Sequence, residues 1–308
     1  MHRLFFVSLS LCVFLSSYSQ KQAVWIDADT GNEIDDVYAI IRLLNESSVS
    51  VAGISSAHFN NPDMLVFEKW NQYPTSGISS INISQQLNEE IVRQMGRTDI
   101  VCVKGADRQI GRAWGGVEPR GSEAVQKLVD YVKSMPPGEK LDVICLGAMT
   151  NLASAVILHP EIIPNIRCYL LGARYNASSG VWDKNEFNVR NDLNAFDFLL
   201  SKENIDLIIM PITTASPYRF RKDETFSRLQ QDIPSHHLLK NRWEETEPGS
   251  RQRVMWDLAL VEAYLKPEYV KIEDRNVPPE NGNHKIKVYI SIEADKLYDD
   301  FWNYINPK

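Results

Sequence analysis

"AVWIDADTGNEIDDVYAI", residues 23–40, decides how the chain is read. An apolar run from Ala23 to Ala28 meets a turn carrying Asp29, Thr30 and Gly31. Beyond it, Val37, Ile40, Ile41 and Leu44 follow the i, i+3, i+4, i+7 spacing of a helix buried on one face, so the helix begins near Asp35. Runs of the first kind recur as "VSVAGISSA", "DIVCVKGA", "LDVICLGA", "IRCYLLGA", "DLIIMPI" and "KIKVYISI", with helical patterns between most of them. That alternation predicts an α/β fold, an open, mostly parallel (mixed) sheet with helices on both faces. Ligands of such sheets collect at the carboxyl ends of the strands. Asp27, Asp29, Glu33, Asp35 and Asp36 are gathered at one such end.

Five acids this close repel one another, and the dipole of a helix N-terminus returns only about 0.3–1 kcal/mol per carboxylate in its first turn. Two readings compete: Asp27 and Asp29 are turn and cap residues with the rest solvated, or a hard cation such as Ca2+ or Mg2+ lies in the turn. An EF-hand loop starting at Asp27 is excluded, because Asn32 and Tyr38 stand where Gly and Glu are required. A DxDx[TV] phosphatase signature fails at Gly31. Asp35 and Asp36 project about 100° apart on a helix, so they serve different targets.

The chain has 308 residues, 44% apolar and 24% charged, within the ordinary range for a folded protein. "MHRLFFVSLSLCVFLSSYSQ" opens with a basic residue, continues with an apolar stretch shorter than the roughly 20 residues a spanning helix needs, and ends in small polar residues with Ser17 and Ser19 at cleavage spacing. Residues 1–19 read as a signal peptide, and 20–308 as one domain of an exported protein, periplasmic or secreted and free of the membrane after cleavage. Cys12 lies inside the apolar run, which makes it a poor lipidation site. Cleavage also removes Arg3 from a chain whose net charge is already −7, so the basic footprint of a nucleic-acid binder is absent. Cys102, Cys145 and Cys168 are odd in number and lie in apolar runs, which predicts buried thiols instead of a disulfide framework. "KSMPPGEK" ends the helix begun by "SEAVQKLVDYV". Residues 215–255 are polar and aromatic with weak periodicity, as in a surface excursion or lid.

The acidic stretch resembles the signature of the inosine-uridine-preferring nucleoside hydrolases, a DxDxG closing the first strand and a DD opening a helix. Asp27, Asp29 and Gly31 supply the first part and Asp35 and Asp36 the second. Further matches follow in the family's order: "AGISSAHFNN", ending at Asn60; "KGAD", with Gly105, Ala106 and Asp107; "LGAMTNLA", with Thr150 and Asn151; "NEFNVRND", with Glu186, Asn188 and Asp192; and "WDLALVEAYLKPE", with Asp257. Together with the C-terminal "KVYISIEADKLYDDFWNYI" they cover residues 23–305. The resemblance implies a nucleoside hydrolase fold and one Ca2+ held by Asp29, Asp36, the backbone carbonyl of Thr150, and Asp257. Asp35 would face the ribose, Glu186 and Asn188 would bind other sugar hydroxyls, and Asn60 would assist. It also implies a homo-oligomer with a small-molecule nucleoside as substrate.

Cleaving an N-riboside passes through an oxocarbenium-like sugar. A cation holding water and the ribose diol would position that water and lower its pKa, with Asp29 as general base. Leaving-group activation is where the pattern departs: Trp256 stands where many members carry a His acid, a substitution shared with purine-specific members, where stacking on the base replaces the acid. Trp182, Trp243 or Trp70 would supply the other face of the base. His58, His236 and His237 are the remaining imidazoles to consider, and Asn176 the substitute for an Asn missing at Gly180. A non-catalytic nucleoside- or sugar-binding protein of the same fold is the alternative. Metal-dependent phosphoester hydrolysis lacks a Gly-rich or basic phosphate cradle. The two motifs read against a solvated loop or a helix cap are Glu186 with Asn188, and Thr150 with Asn151. Glu33 has no role in this reading.

Overall fold

Strand β1, Gln22–Ala28, alternates its side chains between two cores. Val24, Ile26 and Ala28 belong to one buried apolar cluster and Trp25 to the other. The computed structural model describes residues 21–59, 79–230 and 232–305, so the signal segment, Asn60 and Trp70 lie outside the described residues. The remaining strands are β2 (Val49–Ser56), β3 (Val101–Val103), β4 (Leu141–Cys145), β5 (Ile166–Leu171), β6 (Arg174–Asn176), β7 (Val181–Asp183), β8 (Asp206–Met210), β9 (Arg219–Arg221), β10 (Gln252–Val254), β11 (Val270–Asn276) and β12 (Lys285–Ile292).

Eight of them form one sheet in the order β11-β12-β8-β5-β4-β1-β2-β3. All its neighbours pair in parallel except β11 with β12. The chain runs outward from β1 through β2 to β3 and then returns to β4 on the other side of β1. The strand order therefore reverses between β1 and β4, and the crevice outside their carboxyl ends is the natural ligand position.

One face is covered by the helices Asp35–Leu44, Trp256–Leu265 and Ala294–Tyr304, whose Val37, Ile40, Ile41, Leu258, Val261 and Phe301 share a buried cluster with Val24 and Ile26 of β1. The other carries Glu123–Ser134, Thr150–Leu158 and Leu193–Leu200, with Val125, Leu128, Leu152, Val156, Phe196 and Leu199. Ser122 caps the first of these, accepting from Val125 N at 3.2 Å. Gly53 on β2 is required by Trp25: a Cβ there would lie 2.6 Å from the indole, whose Nε1 donates to Ser55 Oγ at 2.9 Å.

Behind the acidic turn, Arg42 is fully buried and meets Glu46 and Glu262 at 2.9 Å and Asp300 at 3.0 Å, while Lys266 reaches Asp300 at 3.0 Å. Removing one partner from such a network leaves a buried charge uncompensated, at a cost of about 3–5 kcal/mol. Residues 219–254 are an excursion closed by the β9–β10 hairpin, with helices Lys222–Arg228 and Pro234–Thr246. It packs on the first helix, Tyr38 donating to Leu239 O at 3.4 Å. The described cysteines are free; Cys145 and Cys168 are buried and Cys102 is half-buried. Among the described residues no helix is long and apolar enough to cross a membrane.

Candidate active site

The turn after β1 and two helix starts bring four aspartates together in the interior. Asp29, Asp35, Asp36 and Asp257 are 2%, 1%, 1% and 6% exposed, an arrangement rare for carboxylates that lack a counter-charge. Asp35 opens the helix Asp35–Leu44 and caps a second one: its Oδ2 accepts from Asp257 N at 3.0 Å. No side chain of its own caps the helix Trp256–Leu265, so Asp35 fixes where Asp257 and Trp256 stand. One oxygen from each of Asp35, Asp36 and Asp257 lies within 4.8 Å of the others. Asp35 therefore enters the same cluster as Asp36, despite their divergent directions on the helix.

Asp29 stands where β1 passes closest to the loop after β4. A Cβ on Gly147 would lie 2.8 Å from Asp29 Oδ1, so only glycine permits that approach. The crowding shows in the electrostatics. Burial raises Asp29, Asp36 and Asp257 well above the usual carboxylate range, and the neighbouring acids raise them further. Burial raises Asp35 too, against the pull of the Asp257 N–H and the Arg253 charge. Asp29 Oδ2 and the Oδ1 atoms of Asp35, Asp36 and Asp257 are buried with no hydrogen-bond partner. The gathered oxygens of Asp35, Asp36 and Asp257, with the orphaned oxygen of Asp29 buried nearby, are the kind of donor set a hard cation takes. These residues fit a hard divalent cation.

Beside the cluster is a cavity of about 180 Å3 whose lining includes Asp29, Asp35, Glu186, Asn188, Trp256 and Asp257. Glu186 and Asn188 reach it through local backbone chemistry. Glu186 caps the short helix Phe187–Asn191, its Oε2 accepting from Val189 N at 3.1 Å and Ala173 N at 3.4 Å. Ala173 has φ of 62°, a left-handed backbone unusual for a residue with a Cβ, at the end of β5 where the chain turns into the cavity wall. Asn188 Nδ2 bridges the ends of β4 and β5, donating to Leu146 O at 2.6 Å and Leu171 O at 3.3 Å.

Thr150 and Asn151 do not cap their helix. Asn151 ties three elements, donating to Asp27 Oδ1 at 2.8 Å and Ser56 O at 3.0 Å and accepting from Ala106 N at 2.9 Å. Asp27 is thereby structural, its carboxyl pushed up to about 6 by burial. The Thr150 hydroxyl donates to Asp192 Oδ2 at 2.5 Å and lies 2.8 Å from His58 Nε2. Burial lowers His58 to about 4, so the ring is neutral and donates through Nε2.

Several expectations end elsewhere. Trp243 is buried in the core, Trp182 donates to Asn276 O at 2.9 Å on β7, and neither lines the cavity. His236 is buried with Nδ1 accepting from Gln230 N at 2.9 Å, and His237 lines a different pocket. Asn176 closes the β6–β7 hairpin, its Oδ1 accepting from Ser178 N at 3.0 Å and Ser179 N at 3.1 Å.

Arg242 and Arg253, both from the 219–254 excursion, were not singled out by sequence. Arg242 donates to Gly31 O at 2.7 Å and Glu33 O at 3.0 Å, and Arg253 pairs with Glu33 and Glu247. Glu33 thus holds the excursion to the acidic turn; burial first, then the Asp35 charge, push it up to about 7. Asn32, Arg174, Asn185 and Arg190 also line the cavity unannounced. Nothing in their local patterns marked them, because the contacts are made across the fold.

Fold and site together define a class, and sequence comparison gives its name. The chain belongs to the inosine-uridine preferring nucleoside hydrolase family, whose sequence profile matches residues 24–298. A protein described as probable uridine nucleosidase 2, from Arabidopsis thaliana, is 28% identical over 188 residues. That match spans 59% of this chain and just over half, 56%, of the relative's length. Among solved structures, an inosine-guanosine nucleoside hydrolase superposes with a TM-score of 0.71 at 14% identity, covering 93% of this chain and 99% of its own. A purine-preferring ribonucleoside hydrolase from Gardnerella vaginalis gives 0.63 at 18% identity, with 92% and 98% covered. These likenesses show the fold.

Proposed function

We propose that the protein is a nucleoside N-ribohydrolase that holds Ca2+ among its buried aspartates and binds a ribonucleoside in the adjoining cavity. One observation carries the reading: the buried carboxylates of Asp35, Asp36 and Asp257 gather within 4.8 Å, with Asp29 nearby and an orphaned oxygen on each of the four, beside a cavity walled by Glu186, Asn188 and Trp256. An all-oxygen donor set without thiol or imidazole favours a hard cation. Asp29, Asp36, Asp257 and the carbonyl of Thr150 would hold it, with Asp35 adjoining. When bound, such an ion supplies positive charge that orders a water and the ribose diol and makes that water more acidic.

The chain's own residues do the rest. Asp29, raised by burial and by its acidic neighbours, accepts the water's proton as the water oxygen bonds to the anomeric carbon. The C–N bond breaks with its electron pair leaving on the base, which takes up a proton. Asp35 places negative charge beside the oxocarbenium-like sugar, and Glu186 and Asn188 hold its remaining hydroxyl. No histidine is among the described residues lining the cavity, so Trp256 stacks on the base and solvent protonates it. That tilts the preference toward purines, as in the Gardnerella relative, while the Arabidopsis relative's name points to uridine. The protein is exported as one domain behind a signal peptide at residues 1–19 and works as a homo-oligomer.

The test is base release from purine and pyrimidine ribonucleosides by the signal-free protein, with and without chelator, alongside Asp29→Asn. Chelation and the substitution should each slow release about a hundredfold or more. Release indifferent to both overturns the proposal. The missing imidazole also favours a second reading, a binding protein without turnover. Calorimetric binding of a nucleoside with no base released would select it.

A further inference from the structure

His58 stands two residues past β2 and is fully buried, yet it does not line the cavity. Its backbone is pinned on either side: Ala57 N donates to Ala28 O at 2.8 Å and Phe59 N to Ser80 Oγ at 3.1 Å. Among the described residues Nδ1 has no hydrogen-bond partner, so the ring bonds through Nε2, to the Thr150 hydroxyl at 2.8 Å. An unpaired buried nitrogen costs free energy that an apolar side chain would avoid, so packing alone does not account for an imidazole here. The Thr150 hydroxyl has one proton, which goes to Asp192 Oδ2, and its oxygen accepts from His58. Asp192 is itself held still, with Ile110 N donating to Oδ2 and Ala195 N to Oδ1, both at 2.9 Å.

That bond matters to the loop from Leu146 to Thr150. At its start Leu146 N donates to Asp27 O at 2.8 Å, and Leu146 O accepts from Asn188 Nδ2. Gly147 then passes Asp29 so closely that no Cβ fits between them. At its end the helix Thr150–Leu158 has no capping side chain, so a cap does not set the direction of its first peptide plane. The peptide carrying the Thr150 carbonyl is held instead from both of its residues, by Asn151 through Asp27, Ser56 and Ala106, and by Thr150 through Asp192 and His58. A hydroxyl with one hydrogen bond can swing about it, whereas one that both donates and accepts is fixed. We propose that His58 is a positioning residue: through the Thr150 hydroxyl it holds the loop Gly147–Thr150, and with it the Thr150 carbonyl, in place beside Asp29. Its consequence for cation affinity rests on the proposed ligand set, which includes that carbonyl and Asp29. Groups one step behind a metal ligand orient it, and losing one costs about 10–100-fold in affinity.

The test uses the signal-free protein with three substitutions. His58→Leu removes the donor, His58→Gln keeps an N–H at the reach of Nε2, and Thr150→Val keeps the carbonyl while removing the hydroxyl. Calorimetry reads calcium affinity, amide exchange in chelator reads the mobility of residues 146–151, and base release from inosine reads turnover. His58→Leu should weaken calcium binding about tenfold or more and His58→Gln by no more than about threefold. Thr150→Val should match His58→Leu, and the double variant should be no weaker than either, because both remove one interaction. Exchange should quicken at residues 146–151 in His58→Leu and Thr150→Val but not in His58→Gln. A His58→Leu protein that melts at lower temperature yet keeps wild-type calcium affinity and wild-type exchange in that loop overturns the inference, as does His58→Gln behaving like His58→Leu. Should His58→Leu fail to fold, His58→Gln and Thr150→Val give the same contrast. A wild type that neither binds calcium nor releases base sinks the hydrolase reading, while exchange that quickens only when the donor or the hydroxyl is lost still sustains the placement of the loop by His58. Calcium-dependent base release with affinity and exchange indifferent to His58→Leu does the reverse.

Discussion

Replacing Asp36 with Asn should stabilise the calcium-free protein and abolish its stabilisation by calcium. Asp36 is 1% exposed, and its carboxylate shares a space of 4.8 Å with those of Asp35 and Asp257. Two unit charges at that separation repel by about 3 kcal/mol at an effective dielectric of about 20. Loss of Asp36 removes two such interactions and forfeits about 0.3–1 kcal/mol of helix-dipole attraction. Because burial holds Asp36 well above the usual range, part of the repulsion is already relieved by protonation, which leaves a gain of about 1–3 kcal/mol. Calcium at a hundredfold excess over its dissociation constant should stabilise the wild type by about 2.7 kcal/mol. For a chain of this size that is a rise of about 5 °C in Tm. The sign with pH follows from the raised pKa values. The calcium-free folded state holds protons more tightly than the unfolded chain, so its stability falls as pH rises from 3.8 toward the raised values. Calcium competes with those protons, so its stabilising shift grows from pH 6 to pH 8. Thermal unfolding with chelator and with calcium, at both pH values, reads all of this. An Asp36→Asn protein that is less stable without calcium, yet keeps the wild-type calcium shift, would refute the reasoning.

Gly147→Ala should cut kcat by about a hundredfold, because the added Cβ would displace Asp29 by contact at 2.8 Å; unchanged steady-state kinetics would show that Asp29 tolerates the shift. Arg242→Ala removes donors to Gly31 O and Glu33 O and should weaken calcium binding measured by calorimetry, with a stability loss of about 1–3 kcal/mol. The Arg42 network sets three acids, Glu46, Glu262 and Asp300, against two cations, Arg42 and Lys266, and Glu262 is pushed up to about 8 by burial. A folded pKa above the unfolded 4.5 makes stability fall as pH rises from about 4.5 to about 8. Chemical denaturation of Glu262→Gln should lack that part of the decline.

The central strands were legible because parallel strands buried on both faces are continuous apolar runs, and all seven runs named from sequence are strands of the main sheet. β11 was not, because "VKIEDRN" is a charged edge strand, half-buried only at Val270, Glu273 and Arg275 with no period-2 apolar pattern. The excursion at 219–254 read as weakly periodic because its helix Pro234–Thr246 buries only Ser235, His236, Leu239 and Trp243. Its part in the site, through Arg242 and Arg253, depends on pairing across more than two hundred residues.

By itself the sequence determined the α/β class, the strand-turn-helix that collects the acids, and the ordered motifs that relate the chain to its family. Those are local signals, set by side-chain periodicity and by spacing within one turn. Only the tertiary structure decided that Asp35 caps the helix bearing Asp257, that Glu33 is anchored by Arg253, and that two arginines share the cavity with the acids. Each of these depends on separations and burial between distant segments. Carboxylate pKa values and ligand geometry follow from those distances, which no spacing along the chain encodes.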